Sequence, residues 1–283
     1  MLKSILFYLI FILTATAAFG RGHSAPARPA WPADTILRPY AIKRAVDLPL
    51  TLGGAAFTVY NFAQESKKDG STVQEVQNLN KNDLNWLDRG AVRPYSKSID
   101  QLSYIPFYVA MPLPLAVFGI DPKMRKDFMQ LTFLYAESMI LTGVLYSSGV
   151  HWVNRHRPLV YSAESPMDVR ISSNSRNSFF AGHVALVATS TFFIARAFAD
   201  YHPDSRYKWL LYSGAALTTA ATAWWRYRAG EHFPSDIIVG TAVGTLSGLL
   251  TPALHKSRII RSQRLSILPY GSSGQGLALL YKL

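Results

Sequence analysis

The sequence predicts an all-α membrane protein, a multi-pass bundle of helices, on three observations. Hydrophobic residues make up 49% of the 283 and charged ones only 16%, whereas about a quarter of a soluble domain is charged. Apolar segments at about 103–120, 128–149, 182–199, 209–225 and 235–254 come close to the roughly 20 residues that cross a bilayer. The net charge of +12 falls largely in loops flanking these runs, which suits an anionic membrane surface. No motif supplies a nucleic-acid context for that charge, so no nucleic-acid partner is expected. The absence of cysteine excludes a disulfide, a thiolate zinc site and a lipoprotein anchor.

The chain opens with Lys3, an apolar run from Ile5 to Leu13, and small residues that include Ala15 and Ala17 in an A-x-A arrangement. Residues 1–20 therefore read as a secretory signal peptide, with an uncleaved first membrane helix as the rival. Residues 21–100 form a lead-in. It holds one weak apolar segment, 48–62, interrupted by Pro49 and Gly53–Gly54, and a polar region at 65–100 with short amphipathic helices around Trp86. Residues 101–255 hold the long apolar runs and form the membrane core. Glu137 lies inside one of those runs, as a functional carboxylate or as a hydrogen-bonding partner of a neighbouring helix. The tail, 256–283, begins with Lys256, Arg258, Arg261 and Arg264 and ends in two apolar pieces around a Gly/Ser turn, the pattern of a hairpin.

The short basic loop 121–127 and the basic stretch after His255 are expected on the cytoplasmic side. Alternating helices then bring Arg155 and Arg157, His183, and the group Arg226, His232 and Asp236 to the opposite face. Within R-Y-R-A-G-E-H-F-P-S-D (226–236), Pro234 suits the first turn of a helix. His232 then stands at the helix entrance with Asp236 four residues on, on the same face. That geometry lets a carboxylate hold one imidazole nitrogen while the other faces out as base or nucleophile. For this stretch alone, a polar loop with Asp236 favoured by the helix dipole is the alternative. Converging arginines and histidines at the edge of the bilayer suit a phosphorylated group whose lipid tail stays in the membrane. The F-F-A-G-H run (179–183) starts a helix, so N–H groups near Ala181 and Gly182 face an anion in this reading, and Gly182 allows close approach.

The order R-x-R-P at 155–158, S-F-F-A-G-H at 178–183 and R-x(5)-H-x(3)-D at 226–236 resembles the type 2 phosphatidic acid phosphatase/haloperoxidase superfamily. The resemblance covers about 128–254. It implies His232 as a nucleophile forming a phosphohistidine, Asp236 as its orienter, and His183 as the general acid. Arg157 and Arg226 would clamp the phosphate, with Arg155 and Gly182 beside it. The resemblance also implies no metal and no cofactor, and a membrane lipid phosphate as substrate. Phosphatidic acid, phosphatidylglycerol phosphate, undecaprenyl diphosphate and the phosphates of lipid A are the candidates. A site on the periplasmic side of a bacterial inner membrane follows from the charge pattern. A vanadate-dependent oxidase and a non-catalytic relative are the alternatives. Two positions depart from the family pattern: Val150 replaces a lysine of the first motif, and Ala181 a serine of the second.

Overall fold

The computed structural model describes residues 38–257 and the two strands at 265–270 and 276–281. The expected signal at 1–20 lies outside the described residues. In chain order the elements are α1 (Arg44–Glu65), α2 (Val73–Gln77), α3 (Trp86–Arg89), α4 (Lys97–Ala110), α5 (Leu113–Ile120), α6 (Phe128–Trp152), α7 (Met167–Arg170), α8 (Gly182–Tyr201), α9 (Lys208–Arg228) and α10 (Pro234–Leu254). The tail adds β1 (Leu265–Tyr270) and β2 (Gly276–Tyr281), paired antiparallel with Leu265 opposite Tyr281. The bundle is helical as expected; the Gly/Ser turn between the two tail strands lies outside the described residues.

Among the described residues, Lys97–Ile120, Met124–Trp152, Gly182–Tyr201 and Pro234–Leu254 are long and apolar enough to cross a membrane. Helix α9, expected as a fifth, falls outside that set. Lys208, Arg226 and Arg228 charge its ends, and Ser, Gly, Thr and Ala dilute its middle. The weak 48–62 segment lies within α1, a continuous helix in spite of Pro49. Gly54 lets α1 approach α6 closely, since a Cβ there would come within 2.9 Å of the Ile140 side chain.

Helix α8 is central, touching α4, α5, α6, α9 and α10. Val184, Ala185, Val187, Ala188, Phe193, Ala195 and Ala197 are fully enclosed along it. In a bilayer the apolar effect does not drive helices together, so close packing and interhelical hydrogen bonds carry association. Both occur here. Ser138 Oγ donates to the Ser247 carbonyl at 2.7 Å, and the Thr142 and Thr189 hydroxyls lie 2.7 Å apart. Gly240, Gly244 and Gly248 repeat every fourth residue and place α10 directly on the backbone of α8. A Cβ at Gly244 would lie 2.1 Å from the Ala185 carbonyl oxygen, and one at Gly240 or Gly248 would lie 2.6 Å from that of Ala181 or Thr189.

The two ends of the bundle differ. One carries the 121–127 loop, where Arg38 pairs with Asp127 at 3.0 Å, His202 with Asp121 at 2.8 Å and Lys256 with Asp200 at 2.8 Å. Between helices, Glu137 has a partner: His255 Nε2 is 3.4 Å from it and 3.2 Å from Asp47, which ties α1, α6 and α10 together. The other end holds the polar loops around 66–96 and 153–181, and there the motifs meet.

Candidate active site

At the end of α9 the chain turns back at Gly230. Its φ of +76° puts it in the left-handed region, where a side chain is strained. Its N–H bonds the Tyr227 carbonyl, and its own carbonyl accepts from Leu159 at 3.0 Å. This reversal sets Glu231 and His232 in the loop between Arg226, in the last turn of α9, and Pro234, the first residue of α10.

His232 is 2% exposed, and its Nδ1 lies 2.8 Å from the Ser178 carbonyl oxygen. A carbonyl only accepts, so Nδ1 carries the proton and Nε2 presents a lone pair. Burial, then Arg226 and Arg157, hold this imidazole well below the ordinary histidine range, so it is neutral around neutral pH.

The expected direct contact from Asp236 to His232 is not what holds the ring. Asp236 accepts from Ser178 Oγ at 2.6 Å, from Arg155 Nη1 at 2.5 Å and from the Phe233 N–H at 3.0 Å. As an early residue of α10 it turns toward the helix's own entrance and the 178 loop. Its influence reaches His232 through Ser178, whose N–H is also fixed by the Arg155 carbonyl at 3.0 Å.

Arg155, expected beside the phosphate, faces two carboxylates in this arrangement. Its guanidinium is locked between Asp236 and Asp88, the latter at 2.5 Å, and lies over the Phe233 ring. Asp88 is fully enclosed and also accepts from the Ser235 N–H at 3.0 Å and hydroxyl at 2.6 Å. Burial pushes this carboxyl up, but the bonds from Ser235, Asn85 and Arg155 outweigh it and hold it below its usual range. The Ala181 N–H, expected to face an anion, donates instead to the Asp236 carbonyl at 3.1 Å.

A cavity of about 280 Å³ takes Arg157, Arg226, Gly182 and His183 into its lining; His232 sits beside it, not in its wall. His183 is only partly covered and stands edge-on to Tyr104 and Phe107, with ring centroids 4.6 and 5.1 Å away. Gly182 is required by packing, since a Cβ would fall 2.6 Å from the Tyr146 ring. Arg226 is 1% exposed and is held by Asp100, by Ser103 Oγ at 3.1 Å and by Glu231 at 2.7 Å. Arg157 is 6% exposed and is held by the same Glu231 oxygen and by Asn174 at 3.1 Å. Both guanidinium Nε atoms are buried with no hydrogen-bond partner among the described residues.

Several of these residues lay beyond sequence reasoning. Asp88 and Asp100 come from the 65–100 region assigned to an extramembrane lead-in. Glu231 was hidden as an unremarked letter beside His232. At Val150, where the resemblance leads one to expect a lysine, the side chain is fully enclosed. Lys68, from the loop after α1, brings an ammonium to the Val150 carbonyl at 2.5 Å and to Asn177 Oδ1 at 3.2 Å.

Fold and site together define a helical membrane protein with a buried cationic pocket flanked by two histidines. Residues 131–260, the part of the chain carrying all three motifs, match the PAP2 superfamily. None of the curated proteins matches the chain. Among solved structures, the chain is similar to the transmembrane PAP2-type phosphatidylglycerolphosphate phosphatase from Bacillus subtilis, with 19% identity, a TM-score of 0.43, and coverage of 74% of this chain and 94% of that one.

Proposed function

We propose that this protein is a lipid phosphate phosphatase that works through a phosphohistidine on His232. The observation that carries the reading is the pair of buried, unpartnered Nε–H donors on Arg157 and Arg226, beside a cavity that contains His183. Buried donors are rarely left unpaired, and two guanidinium forks suit the oxygens of a phosphate. His232 Nε2 attacks phosphorus, and the bond from phosphorus to the lipid oxygen breaks with its electron pair on that oxygen. His183, protonated in the complex because the negative charge of the bound phosphate offsets the two arginines, gives its proton to the leaving oxygen. Water then attacks the phosphohistidine and passes a proton to His183. The P–N bond breaks, freeing inorganic phosphate and restoring Nε2. Arg157 and Arg226 stabilise the charge that builds on the equatorial oxygens. Asp236 and Ser178 keep the His232 tautomer.

The 121–127 loop, with Lys123, Arg125 and Lys126, favours the cytoplasm, which supports a site at the periplasmic face of a bacterial inner membrane. The test is phosphate release by purified protein from phosphatidic acid, phosphatidylglycerol phosphate, undecaprenyl diphosphate and lipid A, beside His232→Ala. Release by the wild type and loss of at least a thousandfold in the variant is expected. Equal release by both, or none by the wild type, refutes the reading. A reporter fused in the 121–127 loop should report cytoplasm, and a periplasmic signal would reverse the orientation.

A further inference from the structure

The cavity contains one acceptor that the phosphate chemistry leaves unused. Glu65, the last residue of α1, lines it and is 5% exposed. One carboxylate oxygen, Oε1, accepts from Asn177 Nδ2 at 2.8 Å. Asn177 is itself steadied by Lys68 through its other amide atom. The second oxygen, Oε2, is buried with no hydrogen-bond partner among the described residues. The carboxylate is thus fixed at one oxygen and bare at the other, on the wall of a cavity whose phosphate-gripping groups come from α9 and from the loop after α6. A buried acceptor without a donor is costly unless something supplies one.

We infer that Glu65 forms a second subsite, which takes a hydroxyl of the group that carries the phosphate and makes the enzyme selective for polyol- or sugar-linked lipid phosphates. The inference rests on the phosphatase reading above. Three observations lead to a neutral hydroxyl. The donor must hydrogen-bond to a carboxylate oxygen. It enters a neighbourhood where Arg157 and Lys68 already supply positive charge to Glu65, so an additional ammonium would be repelled. It is attached to a group larger than phosphate alone, for which a 280 Å³ cavity leaves room. Burial raises the Glu65 carboxyl above its ordinary value, with Arg157 and Lys68 working against that rise. Glu65 lies outside the 131–260 segment that matches the family, whereas Asn177 lies inside it, so the acceptor of this subsite comes from the chain's N-terminal part.

Selectivity is read as a ratio of kcat/KM values. The arms are phosphatidic acid, whose diacylglycerol has no free hydroxyl beside the phosphate, phosphatidylglycerol phosphate, which has one, and a lipid-linked sugar phosphate, which has several. The wild type is expected to favour the hydroxylated substrates by about tenfold or more, because a site built to bond a hydroxyl rejects the analogue that lacks it. Glu65→Met removes the acceptor and should bring the ratio close to one, chiefly through loss on the hydroxylated substrates. Glu65→Gln keeps the shape and the bond from Asn177. It should fall between the two, since a neutral partner bonds more weakly than a charged one. The inference is overturned if the wild type shows no preference for the hydroxylated substrates, or if Glu65→Gln leaves the ratio unchanged. Equal loss on all substrates in Glu65→Gln also overturns it, because that marks a structural role. A wild type inactive on every lipid would instead sink the phosphatase reading itself, and the subsite with it. Which hydroxylated arm responds most distinguishes a polyol from a sugar.

Discussion

Replacing Glu231 by Gln tests how the two arginines are held before substrate arrives. One oxygen of Glu231 bridges Arg157 and Arg226, and the side chain is 6% exposed. Gln preserves the shape and one acceptor but removes the charge. Arg226 keeps Asp100 and Ser103, whereas Arg157 is left with neutral Asn174. Breaking a buried pair from one side costs about 3–5 kcal/mol. Because an acceptor remains, the loss should sit at about 3 kcal/mol, the lower end of that range. At about 2–4 °C per kcal/mol for a chain of 150–250 residues, the melting midpoint should fall by about 6–12 °C. An anion can then take the empty place. Inorganic phosphate at about a hundred times its dissociation constant returns about 2.7 kcal/mol, so it should raise the midpoint of Glu231→Gln more than that of the wild type, where the carboxylate competes. Thermal unfolding in detergent, with and without phosphate, reads both quantities. A midpoint equal to the wild type, or a phosphate shift no larger than in the wild type, would show that Glu231 does not hold the anion's place.

Gly244→Ala forces a methyl group to within 2.1 Å of the Ala185 carbonyl oxygen. It should destabilise by about 1–3 kcal/mol and lower kcat by parting His183 from His232, as read by unfolding and phosphate release; unchanged kinetics would count against this coupling. Asp88→Ala leaves Arg155 and the Ser235 N–H short of an acceptor and should cost about 3–5 kcal/mol, with Asp88→Asn recovering part of the activity. The pH dependence follows from His232. Its folded value lies below the ordinary 6.5, so the neutral, attacking form persists as pH falls through 6.5. The acidic limb of kcat/KM governed by this residue should therefore lie below about 6.5. A limb above that value would contradict the burial of the ring among arginines. By the same sign, the unfolded chain takes up a proton near 6.5 that the folded chain refuses, so stability held above that pH should erode as pH drops below it.

Much of the architecture was legible because membrane helices are written in composition. The runs that became α6, α8 and α10 stood out by length and apolarity, and the change at Val150 marked the site's end of the bundle. Helix α9 was legible as a helix but not as a less apolar one, because its length masked its Ser, Thr and Gly. The motif residues His183, His232, Arg157 and Arg226 converge as their spacing suggested. Roles within the cluster were harder to read. Asp236 and Arg155 sit at helix and loop edges, where a one-residue change of direction decides whether a side chain faces a ligand or a neighbour. Only the fold shows that they face each other. The acidic residues that brace the arginines, Asp100 and Glu231, and the carboxylate Asp88 that holds Arg155, carry no spacing signature at all. Two come from a polar stretch whose composition looks like an ordinary loop.

The glycines of α10 also bear on how the two histidines are held. With Gly240, Gly244 and Gly248 set against the backbone of α8, the helix bearing His183 and the helix that begins just after His232 have no cushion of side chains to slide on. The two helices are therefore locked to each other backbone to backbone, and a substitution that parts them would part the two histidines as well. The rest of the cavity wall comes from their neighbours, α4 with Tyr104 and Phe107 and α1 with Glu65 at its tip.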